Sequence, residues 1–194
     1  MLRETIINFT LLTMTISSNI VLIGLPSCGK TTLGKIVADK LSMKFIDLDQ
    51  LVFERNPVRE TDFSVLDAIR RFPVVQSEVI LELQNETSPF IVATGADAVA
   101  SPTDAENLRK LGFVVYIKQD RKLLLEKAKE RFPFVMRTAG KNNTKDASQF
   151  IFRQYESTAY QYEETADAFF VNDGTIEEGA ESLINLIIRN QIKG

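Results

Sequence analysis

An α/β fold built on a parallel sheet is the architecture this sequence predicts, and three observations predict it. Short, wholly apolar runs recur along the chain, as in Ile20-Val21-Leu22-Ile23 and Phe90-Ile91-Val92-Ala93, and strands buried on both faces read this way. Segments with apolar residues at helical spacing separate these runs, so strand and helix alternate. Between the first strand and the first helix lies Gly24-Leu25-Pro26-Ser27-Cys28-Gly29-Lys30-Thr31. This is a GxxxxGK(S/T) phosphate loop in the strand–turn–helix setting that its mechanism needs.

The elements follow in order. Ile20 to Ile23 is the first strand. After the glycine-rich turn, Leu33, Ile36, Val37 and Leu41 recur with a helical period, and Ser42 breaks it. Phe45-Ile46-Asp47-Leu48-Asp49 reads as a second strand running into a loop. Asp62 to Arg71 and Glu78 to Gln84 read as two helices with Pro73 between them, because proline interrupts a helical ladder. Ser88-Pro89 introduces a third strand, Phe90-Ile91-Val92-Ala93-Thr94-Gly95. Asp104 to Leu111 is a short helix stopped by Gly112. Phe113 to Ile117 is the fourth strand and Arg121 to Glu130 a helix. Residues 138–146 are polar and aperiodic, which predicts a mobile surface loop, and helix returns from Ser148 to Thr165. Phe169-Phe170-Val171 is the fifth strand, followed by the turn Asn172-Asp173-Gly174. The last helix opens on Thr175-Ile176-Glu177-Glu178, a capping-box pattern.

A length of 194 residues fits one domain with a proper core. The net charge of -3 gives no general nucleic-acid surface. No apolar stretch approaches the roughly 20 residues of a membrane span, so no membrane association is expected. A single cysteine excludes an internal disulfide and fits a reducing, cytoplasmic setting. The chain has no histidine, so any proton acceptor must be a carboxylate, a lysine, a tyrosine, the one thiol or water. Met1 to Asn19 is mildly apolar and lacks the marks of a signal peptide. Met14 precedes the first strand by a few residues, so residues 1–18 are expected to be a dispensable extension and 19–194 the domain.

The glycine-rich segment carries the chemistry. Glycines let backbone wrap around phosphate oxygens, and successive N–H groups then form an anion nest reinforced by the next helix. Gly24, Pro26, Ser27, Cys28, Gly29, Lys30, Thr31 and Thr32 are the expected nucleotide contacts. Lys30 would reach the outer phosphates and Thr31 would ligate the accompanying magnesium ion. Cys28 reads most simply as a small residue at a variable position, although a thiol there could block the site when oxidised.

Asp47 and Asp49 stand two apart at the end of an apolar strand, which would turn both carboxylates the same way. A cation makes such a pair tolerable. The pair then reads as a metal-side carboxylate, Asp47, and an acceptor-orienting or basic one, Asp49. The alternative is a solvated strand end with helix-capping character.

These residues resemble the shikimate kinase family. Gly29-Lys30-Thr31-Thr32-Leu33-Gly34-Lys35 runs on to Phe45-Ile46-Asp47-Leu48-Asp49, matching the family's phosphate loop, helix and Asp-x-Asp strand end. The likeness continues in Val92 to Val99, in Leu108 to Ile117 and in Tyr162 to Asp167, covering nearly the whole chain from Asn19. It implies a three-layer P-loop fold with a five-stranded parallel sheet and a lid near 130–150. It also implies ATP and Mg2+ as cofactors, transfer of the γ-phosphate to a ring hydroxyl, a monomer, and a place in aromatic amino acid biosynthesis. In that scheme Lys30 and Asp49 are catalytic, Asp49, Gly95 and Ala96 line the substrate, and Thr31 and Asp47 serve the metal. Arg131 or Arg137 would close over ATP from the lid.

The chain also departs from the family. Where the family has three glycines, it has Gly95-Ala96-Asp97. Three residues before Glu78, where the family grips the substrate carboxylate with an arginine, stands Val75. A second substrate arginine is expected four residues before Tyr162, and Thr158 is there. Arg70, Arg71, Arg137 and Arg153 are nearby cations that either take over this role or are ordinary solvated charges. The expected activity is therefore an ATP-dependent small-molecule kinase, with shikimate as the leading acceptor. The alternatives are another polyol, a sugar or a nucleotide as acceptor, or a nucleotide-binding module without transfer.

Overall fold

The structure is a computed structural model and describes residues 16–55, 65–120, 122–124, 126 and 158–191. Its frame is a five-stranded, all-parallel sheet in the order β2-β3-β1-β4-β5. The strands are β1 (Ile20–Ile23), β2 (Lys44–Asp47), β3 (Phe90–Ala93), β4 (Phe113–Lys118) and β5 (Ala168–Val171). Every residue of β1 and β3 is buried, which accounts for their continuous apolar sequence. Register is fixed at the strand starts by Asn19. Its Nδ2 donates to Leu111 O at 2.9 Å, and its Oδ1 accepts from Phe90 N at 3.2 Å.

Helix α1 (Lys30–Leu41) starts directly from the phosphate loop and ends at Ser42, whose φ of 54° lies in the left-handed region. Its buried face, Leu33, Gly34, Val37 and Ala38, lies against the sheet. A Cβ on Gly34 would stand 2.6 Å from the Phe45 ring, so the close approach of α1 to β2 needs glycine. Helix α4 (Pro102–Leu111) is capped by Ser101, whose Oγ accepts from Asp104 N at 3.3 Å, with proline at the first helical position. Helix α5 (Ile176–Gln191) opens on the expected capping box: Thr175 N donates to Glu178 Oε2 at 3.0 Å, and Glu178 N to Thr175 Oγ1 at 3.2 Å. Right-handed crossovers place α1 and α5 together on one face, and α2 (Leu48–Arg55), α3 (Val65–Leu83) and α4 together on the other.

Three elements differ from the sequence expectation. The second strand ends at Asp47, and Leu48–Arg55 is helix where a loop was expected. Asp47 makes this possible by capping the new helix, its Oδ1 accepting from Gln50 N at 3.2 Å. The two helices expected on either side of Pro73 are one helix, α3, which runs through the proline. Burial of Val75, Val79, Ile80 and Leu83 along one stripe outweighs the lost ladder bond. After β3 the chain makes a 3-10 turn at Ala96–Val99. The expected helix over 148–165 is described only at 158–165, and the lid near 130–150, with residues 1–15, lies outside the described residues. Among the described residues, no helix is long and apolar enough to cross a membrane.

Candidate active site

Because β1 lies between β3 and β4, the loop that follows it opens at the middle of the sheet's carboxyl rim, where open α/β sheets bind ligands. The loop is held in a conformation that needs its glycines. Gly24 and Gly29 have φ of 144° and 105°, and Ser27 has φ 64°. A Cβ on Gly24 would come within 2.6 Å of the Ile117 carbonyl oxygen, so the loop also sits tight against the end of β4. Lys30, the first residue of α1, is buried. Its ammonium donates to the carbonyls of Gly24 at 2.7 Å and Leu25 at 2.9 Å, and lies 3.8 Å from Cys28 Sγ. The Ser27 hydroxyl is buried in the loop with no hydrogen-bond partner. An anion seated in the loop would satisfy it, so the residues present fit a phosphate.

Thr31 follows on the first turn of α1. Its hydroxyl donates to Asp47 Oδ2 at 3.1 Å, across from the end of β2. The proton is thereby committed to Asp47, and the oxygen's lone pairs stay available for a hard cation. Among the described residues there is no group of three or more acidic, histidine or cysteine side chains that could enclose a metal. A hydroxyl backed by one carboxylate, with phosphates and water completing the shell, is the donor set that suits magnesium. Thr31 and Asp47 would hold it, and it would supply neutralising charge at the phosphates.

Asp49 is reached by a route the sequence did not indicate. It is not a strand residue beside Asp47 but sits in the first turn of α2. Its carboxylate is set directly against Gly95, where any Cβ would collide with it. Gly95 itself is in ordinary extended backbone, so what glycine provides there is room for the Asp49 carboxylate in this position. The Asp49 carboxyl titrates above the usual aspartate range. Although Asp49 as a residue is exposed, partial loss of hydration at its carboxyl is the main cause, followed by the negative charge of Asp47; Lys30 opposes this, and Asp97 adds to it.

Behind the 95–97 turn stands Tyr162, fully buried, its hydroxyl donating to Ala96 O at 2.6 Å and its ring stacked on Tyr116 with 5.0 Å between centroids. Burial pushes its phenol far above the ordinary tyrosine range, Cys28 and Asp97 add to that, and a hydrogen bond with Thr158 opposes it. Thr158 is therefore a buried partner of Tyr162, and Val75 is a buried part of α3. Neither position presents a cation. Arg71 is exposed on α3. Arg131, Arg137 and Arg153 lie outside the described residues.

Beside the phosphate loop, a cavity of about 440 Å³ is walled by Leu25, Cys28, Gln119, Asp120 and Asp173 among others. Asn172, at the end of β5, reaches from this side to the Cys28 carbonyl at 2.9 Å. The sequence identified Asn172 only as part of a turn, and Tyr162 only through the family likeness. Their burial, which gives them their place here, is a tertiary property.

The family model for shikimate kinase matches residues 26–188 of this chain. The shikimate kinase of Clostridium botulinum (strain Alaska E43 / Type E3) is 27% identical over 178 residues, covering 89% of this chain and 99% of the relative. That of Thermoanaerobacter pseudethanolicus is 31% identical over 177 residues, covering 88% and 96%. Among solved structures, the shikimate kinase from Acinetobacter baumannii in complex with shikimate superposes with a TM-score of 0.77 at 22% identity, over 93% of this chain and 98% of its own. A gluconokinase from Sinorhizobium meliloti 1021 shares the fold more distantly, with a TM-score of 0.54 at 16% identity over 93% and 97%.

Proposed function

The chain belongs to the shikimate kinase family of ATP-dependent kinases, and from that premise we propose that it transfers the γ-phosphate of ATP to a hydroxyl of a small cyclic polyol, with shikimate the first acceptor to test. The observation that carries this reading is the placement of Asp49. It stands on the rim that holds Lys30 and Thr31, backed by Gly95 of the neighbouring strand's turn. An acceptor hydroxyl bound between Asp49 and the loop would face the terminal phosphate.

Phosphoryl transfer asks the protein mainly for positioning and charge stabilisation. The loop's N–H groups and the start of α1 bind the phosphates. Lys30 exchanges its bonds to the Gly24 and Leu25 carbonyls for phosphate oxygens and steadies the charge that builds on them. Thr31, oriented by Asp47, holds magnesium, which supplies further neutralising charge when bound. Asp49 orients the acceptor hydroxyl and takes its proton as the new oxygen–phosphorus bond forms. The cavity beside Cys28 and Asp173 is of a size to take the nucleoside. Such a reaction belongs in the cytoplasm, where ATP is available.

A second reading keeps the reaction and changes the acceptor. It is favoured by Val75 and Thr158, which fill with buried, uncharged side chains the two positions where the family likeness places carboxylate-gripping arginines. The test is ADP formation by the purified protein with Mg-ATP, first with shikimate and then with a panel of uncharged polyols, gluconate and nucleosides. Acceptor-dependent ADP formation is expected, with Asp49→Asn lowering it by about 100-fold or more while leaving ADP affinity within a few-fold. Tight ATP binding with no turnover on any acceptor would leave only a nucleotide-binding module.

A further inference from the structure

We propose that Asn172 is a positioning residue of the nucleotide site, fixing which way the Cys28–Gly29 peptide faces. Its side chain is buried and its Nδ2 donates to the Cys28 carbonyl at 2.9 Å. In a trans peptide the C=O and the following N–H point in opposite directions. A Cys28 carbonyl drawn toward Asn172 therefore turns the Gly29 N–H to the other side of the loop, among the groups that form an anion nest. The peptide needs such a pin. Gly29, at φ 105°, is free of the Cβ that would otherwise decide the orientation of the plane. A flipped plane would present a carbonyl oxygen to the phosphate, with the wrong sign of partial charge.

Asn172 is itself held from several sides. Its N–H donates to Lys118 O at 2.8 Å, continuing the β4–β5 ladder, and its carbonyl accepts from the Gln119 side chain. A Cβ on Gly29 would stand 2.6 Å from Asn172 Nδ2, and one on Gly179 of α5 3.2 Å from its Oδ1, so glycines on both sides make room for the carboxamide. Gln119 and Asp173 also wall the cavity beside Cys28. Asn172 thus joins the wall of that cavity to the phosphate loop. The assignment rests on reading Gly24 to Thr31 as a phosphate seat and is independent of the acceptor.

The test uses the full chain, with Mg-ADP and inorganic tripolyphosphate as probes in titration calorimetry. Asn172→Ala is expected to weaken both probes by about tenfold, the worth of one buried hydrogen bond to a loop that must be ordered. Asn172→Asp keeps the shape and replaces the donor with an ionised acceptor, so it should bind more weakly still at about pH 8. Burial raises the new carboxyl above the ordinary aspartate range, so as pH is lowered toward about 4 to 5 it regains a proton to donate, and the deficit relative to wild type should shrink. Wild type carries the same Cys28, Lys30, Lys118 and Asp173 around the position, so the ratio isolates the new group. If the aspartate variant does not fold, Asn172→Ser, which keeps a short donor, should bind more tightly than Asn172→Ala. Variants that bind both probes within about twofold of wild type, or an aspartate deficit that ignores pH, would overturn the role of Asn172 alone. Absence of ADP binding by wild type would overturn the phosphate seat and this role with it.

Discussion

Asp49 and Asp47 divide the work between them because their surroundings differ. Asp47 accepts from the Gln50 N–H with one oxygen and from the Thr31 hydroxyl with the other, so it caps α2 and orients Thr31. Of the two sequence readings of that aspartate, the cap is present in its bond from Gln50 N, and the metal-side role is the one proposed above. Asp49 faces the cleft, and its raised pKa has a consequence for stability. Between the ordinary aspartate value of 3.8 and the raised one, the folded state keeps a proton that the unfolded chain has released. Stability therefore falls as pH rises through that window and stays lower above it. Asparagine carries no charge at any pH in this range. Asp49→Asn is expected to raise the melting temperature at neutral pH by about 1–3 °C while removing turnover, and to lose that advantage near pH 4. Thermal melts of both proteins at the two pH values check this, and an advantage that persists in acid would show that charge is not its origin. The sequence singled out these two carboxylates as candidates, and the structure places both at the carboxyl end of β2, Asp47 bonded to Thr31 and Asp49 against Gly95. The sequence did not show that Asp49 stands on a helix turn against Gly95, because the change from strand to helix between them depends on the Asp47 cap.

At the scale of elements, legibility followed burial. Strands β1 and β3 are enclosed on both faces and announce themselves as apolar runs. Helices α1, α4 and α5 are marked at one end or both: the glycine loop and Ser42 for α1, Gly112 for α4, and Thr175 with Glu178 for α5, while the Ser101 cap starts α4 two residues before the expected Asp104. Helix α2 escaped notice because its eight residues bury only Leu48 and Val52, too few to establish a period. Pro73 predicts a break by the local rule, and the buried stripe of α3 prevails over it. The α1–β2 contact offers a test of the packing claimed here. Gly34 faces the Phe45 ring at 2.6 Å and Leu22 Cδ1 at 3.1 Å from the place of a Cβ. Gly34→Ala is expected to cost about 1–3 kcal/mol of stability by forcing these side chains aside, while changing ADP affinity little. Chemical denaturation measures the first and calorimetry the second. A fully neutral substitution would mean that α1 is less closely seated than described.

Across the whole molecule, the strand order places the phosphate loop at the middle of the sheet's carboxyl rim. On the proposed donor side, the loop, Lys30, Thr31 and the Asn172 tie lie together at the carboxyl end of β1. On the proposed acceptor side, Asp49 lies against Gly95, while Val75 and Thr158 are buried and uncharged. Phosphate chemistry was readable in the sequence because a handful of contiguous residues carries it. The acceptor side was not, because the positions that the family likeness assigns to it are spread over α2, α3, the turn after β3 and residues 158–165. Family membership fixes the fold and the donor, and the central claim is that the phosphate goes to an alcohol. Phosphorus NMR of the full chain with Mg-ATP and shikimate, followed by the uncharged polyols, tests it most directly. The account predicts a new phosphomonoester resonance that grows in step with ADP, depends on the acceptor, and is absent with Lys30→Met. ATP that stays intact with every acceptor, or yields only inorganic phosphate, would contradict it.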